Sequence, residues 1–243
     1  MSNKRLIDFL QKEDKPVQGR RVLTAAVISD SKSKYLQNYI GPTNQHIKWW
    51  HKSGDDIQHR LRWLKNNIDI KIQQYGNIHF YIWLGTCNLT KREKKGQISI
   101  ANTNTQEAVQ EIAELYANFT QLVKKHPGCK LTFLEVPHYS IVRWNTSKGH
   151  KNPELFTEQD ITLRQQVEEL NLKIHSLNSE LGVHSPLLTV HLRTRKQVKR
   201  GKNKPTKDVI KYSLLSDGIH PSPLLSRVWL REIVDQVKVD CYQ

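Results

Sequence analysis

The sequence predicts an α/β fold, a parallel sheet covered by helices on both faces. Three observations lead there. Short apolar runs alternate with amphipathic stretches along almost the whole chain. Five of the runs are too short for a good helix and are rich in β-branched or aromatic residues, so they read as strands. Enough chain separates successive strands for a helical crossover, which makes the strands parallel and the connections right-handed. Helices then lie on both faces. At 243 residues the chain accommodates one such domain, 21–243, preceded by an N-terminal extension, 1–20.

RVLTAAVIS, 21–29, is a continuous apolar run suited to a fully buried first strand, and the mixed segment after it suits a helix. HIKWWHKSG, 46–54, reads as a second, edge-like strand ending at Gly54. The next stretch places Ile57, Leu61, Leu64 and Ile68 at helical spacing, and Gly76 stops it. NIHFYIWLG, 77–85, is the strongest strand. Asn104 with Glu107 marks a helix start, with Val109, Ile112, Tyr116, Phe119 and Val123 as its inner stripe. Lys124, Lys125 and His126 suit its negative end before Pro127-Gly128. KLTFLEV, 130–136, is a fourth strand. Thr157 is expected to cap a helix striped by Leu163, Val167, Leu170, Ile174, Leu177 and Leu181 and ended by Gly182. That stripe is short for a coiled coil, so it is read as covering the sheet. PLLTVHL, 186–192, is expected as a fifth strand, and the last helix begins around Pro221 to Pro223, burying Leu224, Leu225, Val228 and Ile233.

Composition narrows the function classes. The chain has 38 Lys and Arg against 23 Asp and Glu, a net charge of +15, which speaks to polyanionic partners and not to fold. The excess is concentrated, because residues 191–211 hold nine basic residues against one acid, Asp208. Arg193, Arg195, Lys196, Lys199, Arg200, Lys202, Lys204, Lys207 and Lys211 are expected to form a flexible arm that binds nucleic acid or another polyanion. An ordinary solvated loop is the alternative. No run approaches the ~20 apolar residues of a membrane-spanning helix, and the N-terminus lacks the apolar centre of a signal peptide. Cys87, Cys129 and Cys241 show no paired spacing, which fits free thiols in a reducing compartment. The expectation is an intracellular protein, cytoplasmic or nuclear, without membrane insertion. With no HExxH, no zinc-like Cys/His spacing and no phosphate loop, neither a metal nor a cofactor is expected. The oligomeric state stays open.

The strand ends suggest chemistry, since function in parallel sheets gathers beyond their carboxyl edge. Strand one ends at Ser29-Asp30-Ser31, strand two at Ser53-Gly54, strand three at Gly85-Thr86-Cys87-Asn88. The loop before the last helix reads SDGIHPSP, with Asp217 and His220 three apart. The serines and aspartate after strand one suit helix capping equally well, so that stretch alone leaves two readings. In the chemical one Ser31 is a nucleophile, His220 its base and Asp217 the group that orients the imidazole, while the Gly54 amide faces a developing oxyanion. Asp30, Gly85, Thr86, His138 and Tyr139 are expected to line the same pocket. Cys87 as the nucleophile is the weaker alternative, because no base accompanies it in sequence.

These segments resemble the blocks of the SGNH, or GDSL, hydrolases. Ser29-Asp30-Ser31 is similar to the family's Gly-Asp-Ser block, Gly54 to its second-block glycine, Gly85-Thr86 to the opening of the third, and Asp217-Gly218-Ile219-His220-Pro221 to the fifth. The resemblance spans residues 21–238. It implies a three-layer, flavodoxin-like fold with a five-stranded parallel sheet in the order 2-1-3-4-5. It also implies a serine esterase or acyl-ester hydrolase acting on a small ester with a Ser-His-Asp triad and no cofactor. The implied oxyanion donors are Ser31, Gly54 and the third-block position. The family's asparagine there is Cys87 in this chain, with Asn88 one place later, and a thiol is a poor donor. WWHKSG, YIWLGTCNLT and VPHYSIVRWN also look like SGNH domains encoded by some retrotransposons. The competing expectation is therefore a catalytically weakened SGNH fold that binds nucleic acid or protein, as a module of a mobile element.

Overall fold

A computed structural model of the protein describes residues 3–14, 16–42, 44–197 and 206–243. In chain order the elements are α1 (Lys4–Gln11), β1 (Thr24–Ser29), α2 (Lys32–Gln37), β2 (Lys48–His51), α3 (Ile57–Tyr75), β3 (Ile78–Trp83), α4 (Thr86–Leu89), β4 (Thr90–Arg92), β5 (Ile98–Ile100), α5 (Thr105–Lys124), β6 (Lys130–Phe133), α6 (Ile141–Ser147), α7 (Thr157–Glu180), β7 (Arg193–Gln197), β8 (Thr206–Ile210) and α8 (Pro223–Cys241).

The apolar runs set the sheet. Every residue of β1 and of β3 is buried, as expected of strands covered on both faces. β1 lies between β2 and β3, all pairs parallel, with Val27 opposite Trp49 on one side and Tyr81 on the other. β6 joins β3 with Phe133 opposite Ile82, so the order is β2-β1-β3-β6. Parallel pairing puts all four carboxyl ends on one edge. Leu163, Val167, Leu170 and Ile174 of α7 and Leu225, Val228 and Ile233 of α8 are buried in the core that covers the sheet. Burying each such side chain contributes roughly 1.5–3 kcal/mol. Helix caps follow the sequence where a short polar side chain stands free. Asp56 accepts the His59 N–H at the start of α3, and Asn104 accepts those of Gln106 and Glu107 at the start of α5.

The expected fifth strand is absent. Residues 186–188 are irregular and Thr189–Leu192 form a single 3-10 turn. Pro186 has no N–H for a ladder, and the Glu135 carboxylate accepts both the N–H and the hydroxyl of Thr189. Side chains take the missing strand's place on β6 and the residues after it. Asn178 accepts the Phe133 N–H and donates to its carbonyl, Asn171 does the same for Val136, and Ser185 accepts the Glu135 N–H. The N–H groups of Phe133, Glu135 and Val136 are thereby paired without another strand.

One further expectation changes, and two segments gain detail. Thr157 is the first residue of α7 and not its cap, since its hydroxyl donates to the Glu154 carbonyl. The N-terminal extension carries α1, whose Leu6 joins the buried core, and Arg231 donates to the carbonyls of Leu10, Lys12 and Glu13. The basic arm begins and ends as an antiparallel ladder, β7 with β8, with Arg193 opposite Ile210. Among the described residues no helix is long and apolar enough to cross a membrane.

Candidate active site

At the carboxyl end of β1, neighbouring polar side chains take different partners. The Ser29 hydroxyl accepts the Ser33 N–H at 3.4 Å, and the Asp30 carboxylate accepts the Lys32 N–H at 3.0 Å. Ser31 occupies the N-cap position of α2, yet its side chain makes no capping bond. Its Oγ lies 2.7 Å from His220 Nε2. Capping thus falls to Ser29 and Asp30, while the Ser31 hydroxyl is turned to an imidazole.

His220 is held by its own loop. Asp217 Oδ2 lies 2.7 Å from His220 Nδ1, while Oδ1 accepts the N–H groups of Ile219 and His220 at 3.0 and 2.8 Å. Burial alone would raise the Asp217 carboxyl, but these three hydrogen bonds outweigh it and hold the group below its ordinary range. A carboxylate can only accept, so Nδ1 carries the ring proton and Nε2 is left to accept from the Ser31 hydroxyl. The loop reaches this position because Gly218 has φ +98°, and a Cβ there would stand 2.7 Å from both Arg143 Cβ and the Trp144 nitrogen. The Gly218 carbonyl in turn accepts the Ser140 N–H at 2.9 Å, tying the loop to the start of α6.

Two aromatic rings brace the imidazole. Tyr35, four residues along α2 from Ser31, stacks on it with ring centres 4.6 Å apart and planes at 23°. Trp144 meets it edge-on at 5.7 Å, and its own indole N–H donates to the Gly96 carbonyl at 2.9 Å. Beneath the site, the fully buried Lys32 ammonium pairs with the Asp30 carboxylate and donates to the Thr86 hydroxyl at 2.7 Å. The Lys32–Thr86 bond ties the segments after β1 and β3 together.

The triad-like chain opens into a cleft of about 580 Å³, within the ~300–1,000 Å³ usual for small-ligand sites. Asp30, Gly54, Thr86, Cys87 and Asn88 line it with Ser31 and His220. Among the described residues no acceptor takes the N–H of Ser31 or Gly54, so both remain able to donate. Gly54 has φ +72°, and a Cβ there would fall 1.8 Å from Arg92 Nη2, so the guanidinium lies directly over this glycine. Cys87 faces the cleft, but burial, reinforced by the Asp30 carboxylate, pushes its thiol up to about 12. A thiol that stays protonated at neutral pH is a poor nucleophile, which weighs against Cys87 as the attacking group. Asn88 does not substitute for it freely, because its Oδ1 accepts the Ile57 N–H and its Nδ2 donates to Gln58 Oε1.

Three residues expected on the lining stand elsewhere. Gly85 leads into α4 and accepts the N–H groups of Asn88 and Leu89. Tyr139 is buried below the cleft, its hydroxyl donating to the Thr86 carbonyl at 2.9 Å. His138 is buried beside Arg193 and Glu168, and burial, reinforced by Arg193 and Arg164, pushes its imidazole down to about 3. Of the expected polyanion-binding residues, Arg193 lies 3.7 Å from Glu168 and 3.5 Å from the His138 ring. Arg195, Lys196 and Lys207 are located by their backbone register in β7 and β8. Lys199, Arg200, Lys202 and Lys204 lie outside the described residues. Sequence reasoning missed Tyr35, Trp144, Lys32 and Arg92. Only Tyr35 carried a signal, its helical spacing of four from Ser31.

Solved structures with a similar arrangement of elements include a GDSL-like lipase and a lipase/acylhydrolase. A lipase/acylhydrolase from Enterococcus faecalis is 14% identical, with a TM-score of 0.53 over 90% of this chain and 97% of that one. A GDSL-like lipase from Bacteroides thetaiotaomicron VPI-5482 is also 14% identical, with a TM-score of 0.53 over 96% of this chain and 95% of that one. The chain has the GDSL-like fold. No family model matches the sequence, and no curated protein matches it. In this fold the cleft sits where a parallel sheet presents its strand ends, and β6 with its side-chain-paired edge is the last strand on that side.

Proposed function

We propose that the chain is a GDSL-type serine hydrolase acting on a small carboxylic ester. The observation that carries this reading is the unbroken chain from hydroxyl to imidazole to carboxylate at the cleft, 2.7 Å at each link. His220 Nε2 takes the Ser31 proton as Oγ bonds to the ester carbonyl carbon. The negative charge that moves onto the carbonyl oxygen is met by the Ser31 and Gly54 N–H groups. The imidazolium, stabilised by Asp217, then returns its proton to the departing alkoxide as the carbon–oxygen bond breaks, leaving an acyl-serine and a free alcohol. Water repeats the sequence, His220 taking its proton, and releases the carboxylic acid and Ser31. Cys87 supplies no strong third donor, and one missing oxyanion donor lowers turnover by about 100- to 1,000-fold, so the reaction is slow for its class.

The test is turnover of short-chain para-nitrophenyl esters by the wild-type chain and by Ser31→Ala. Release of nitrophenol that Ser31→Ala abolishes supports the reading. Equal rates in the two chains, or none above background in the wild type, overturn it.

A further inference from the structure

The cleft beside Ser31 is cationic in a way that its proposed chemistry does not require. Lys34, Lys91 and Arg92 line it, together with the acids Asp30 and Asp56. Asp30 is neutralised by Lys32 underneath, and Asp56 is engaged at the start of α3 with the His59 N–H and ring. Lys91 has, among the described residues, only an exposed partner, Glu93, at 3.8 Å. Among the described residues no carboxylate pairs with Lys34 or Arg92. Arg92, though exposed, places its Nη2 over Gly54, whose amide faces the reacting carbonyl in the proposed reaction.

Resting on the ester-hydrolase reading, we infer that the cleft selects esters bearing a second, anionic group, a carboxylate or a phosphate, which Arg92 binds while Lys34 and Lys91 steer it in. A guanidinium presents a planar fork of donors that matches both anions, whereas lysines act as point charges. A net excess of positive charge at a cleft raises the local concentration of oppositely charged substrate and its on-rate, and salt screens the effect. The position over Gly54 places the anion-binding group beside the scissile bond, so the second group lies on the same small substrate.

The experiment compares para-nitrophenyl hydrogen adipate with para-nitrophenyl hexanoate, esters of equal chain length that differ by a terminal carboxylate. The wild type is expected to favour the adipate in kcat/KM by about tenfold or more at low salt, with the preference shrinking as salt is raised. Arg92→Ala lowers the ratio of the two rates by about tenfold, Arg92→Lys recovers part of it, and Lys173→Ala, a remote exposed lysine on α7, leaves it unchanged. Competition by inorganic phosphate and by acetate at equal ionic strength separates phosphate from carboxylate recognition. A ratio that favours hexanoate, or one that Arg92→Ala does not alter, overturns the inference. Binding keeps it separable from the hydrolase reading. Ser31→Ala cannot turn over, and in an NMR titration it is expected to bind monomethyl adipate more tightly than methyl hexanoate. Adding Arg92→Ala removes that difference. Equal binding of the two esters by Ser31→Ala overturns the inference even if the enzyme is active. Loss of all Ser31-dependent turnover overturns the hydrolase reading alone.

Discussion

The Tyr35 ring lies flat on the imidazole of His220, 4.6 Å between centres and 23° between planes. Tyr35 sits one helical turn beyond Ser31 on α2, so the element that presents the hydroxyl also presents the face on which its partner rests. An aromatic pair of this kind is worth about 0.5–1.5 kcal/mol beyond the area it buries. Tyr35→Phe keeps the stack and is expected to retain ester turnover within about twofold. Tyr35→Ala frees the ring and lowers kcat by roughly 2- to 13-fold, with KM for a small neutral ester little changed. An equal loss in both variants, read by steady-state kinetics, assigns the effect to the phenol hydroxyl and not to the stack.

Asp217 makes part of the stability depend on acid. Its carboxyl is held below the ordinary range in the folded chain, so its contribution is fully present above its unfolded value, about 3.9. That contribution is lost as pH falls through the lower folded value. The difference in unfolding free energy between wild type and Asp217→Asn is therefore level from pH 7 to about 5 and closes below about pH 4. Urea titrations at a series of pH values measure it. A difference that widens in acid reverses the assigned direction.

Cys87 is protonated and only partly exposed, its thiol pushed up to about 12. Alkylation by iodoacetamide at pH 8 should label Cys87 far more slowly than an ordinary thiol, as peptide mass spectrometry would show. Cys87→Asn restores an amide donor and is expected to leave ester turnover unchanged or to raise it, by up to about 100-fold. Abolished turnover in Cys87→Asn, with residual activity in Ser31→Ala, would transfer the nucleophile's role to the thiol.

The Lys32–Asp30 pair is almost wholly sealed from water, at 2% and 3% side-chain exposure. Removing one member of such a pair strands the other, so Lys32→Ala should lower stability by about 3–5 kcal/mol in chemical denaturation. Lys32→Met combined with Asp30→Asn removes both charges and recovers much of the loss. A Lys32→Ala effect under 1 kcal/mol would mean that water enters beneath the site.

Gly218 tests the loop that carries both Asp217 and His220. At φ +98°, with a Cβ position 2.7 Å from Arg143 Cβ and the Trp144 nitrogen, no side chain fits without moving α6 or the loop. Gly218→Ala is expected to cost more than about 1 kcal/mol in stability and to lower turnover at least tenfold. The equivalent change at Gly149, which has open space around it, spares turnover.

The sequence by itself determined the four strands of the parallel sheet, the helix stripes and the edge on which the polar strand ends collect. β1, β3 and the inner faces of α5 and α7 are legible because burial repeats with the period of the backbone, which one chain displays without its neighbours. Ser31, Asp217 and His220 could be singled out because each follows or precedes such a periodic element. Tertiary structure decided everything that depends on which side chain arrives from far along the chain. Asn171 and Asn178 look like polar interruptions of an apolar stripe, and only packing shows that they take the hydrogen bonds a fifth strand would have taken. Lys32 looks like a solvated lysine until Asp30 and Thr86 enclose it. Trp144 against His220, Arg92 over Gly54 and Asn88 turned toward Ile57 are contacts between residues 31 to 76 positions apart. No local period encodes them, because hydrogen bonds and shape complementarity carry no memory of sequence separation.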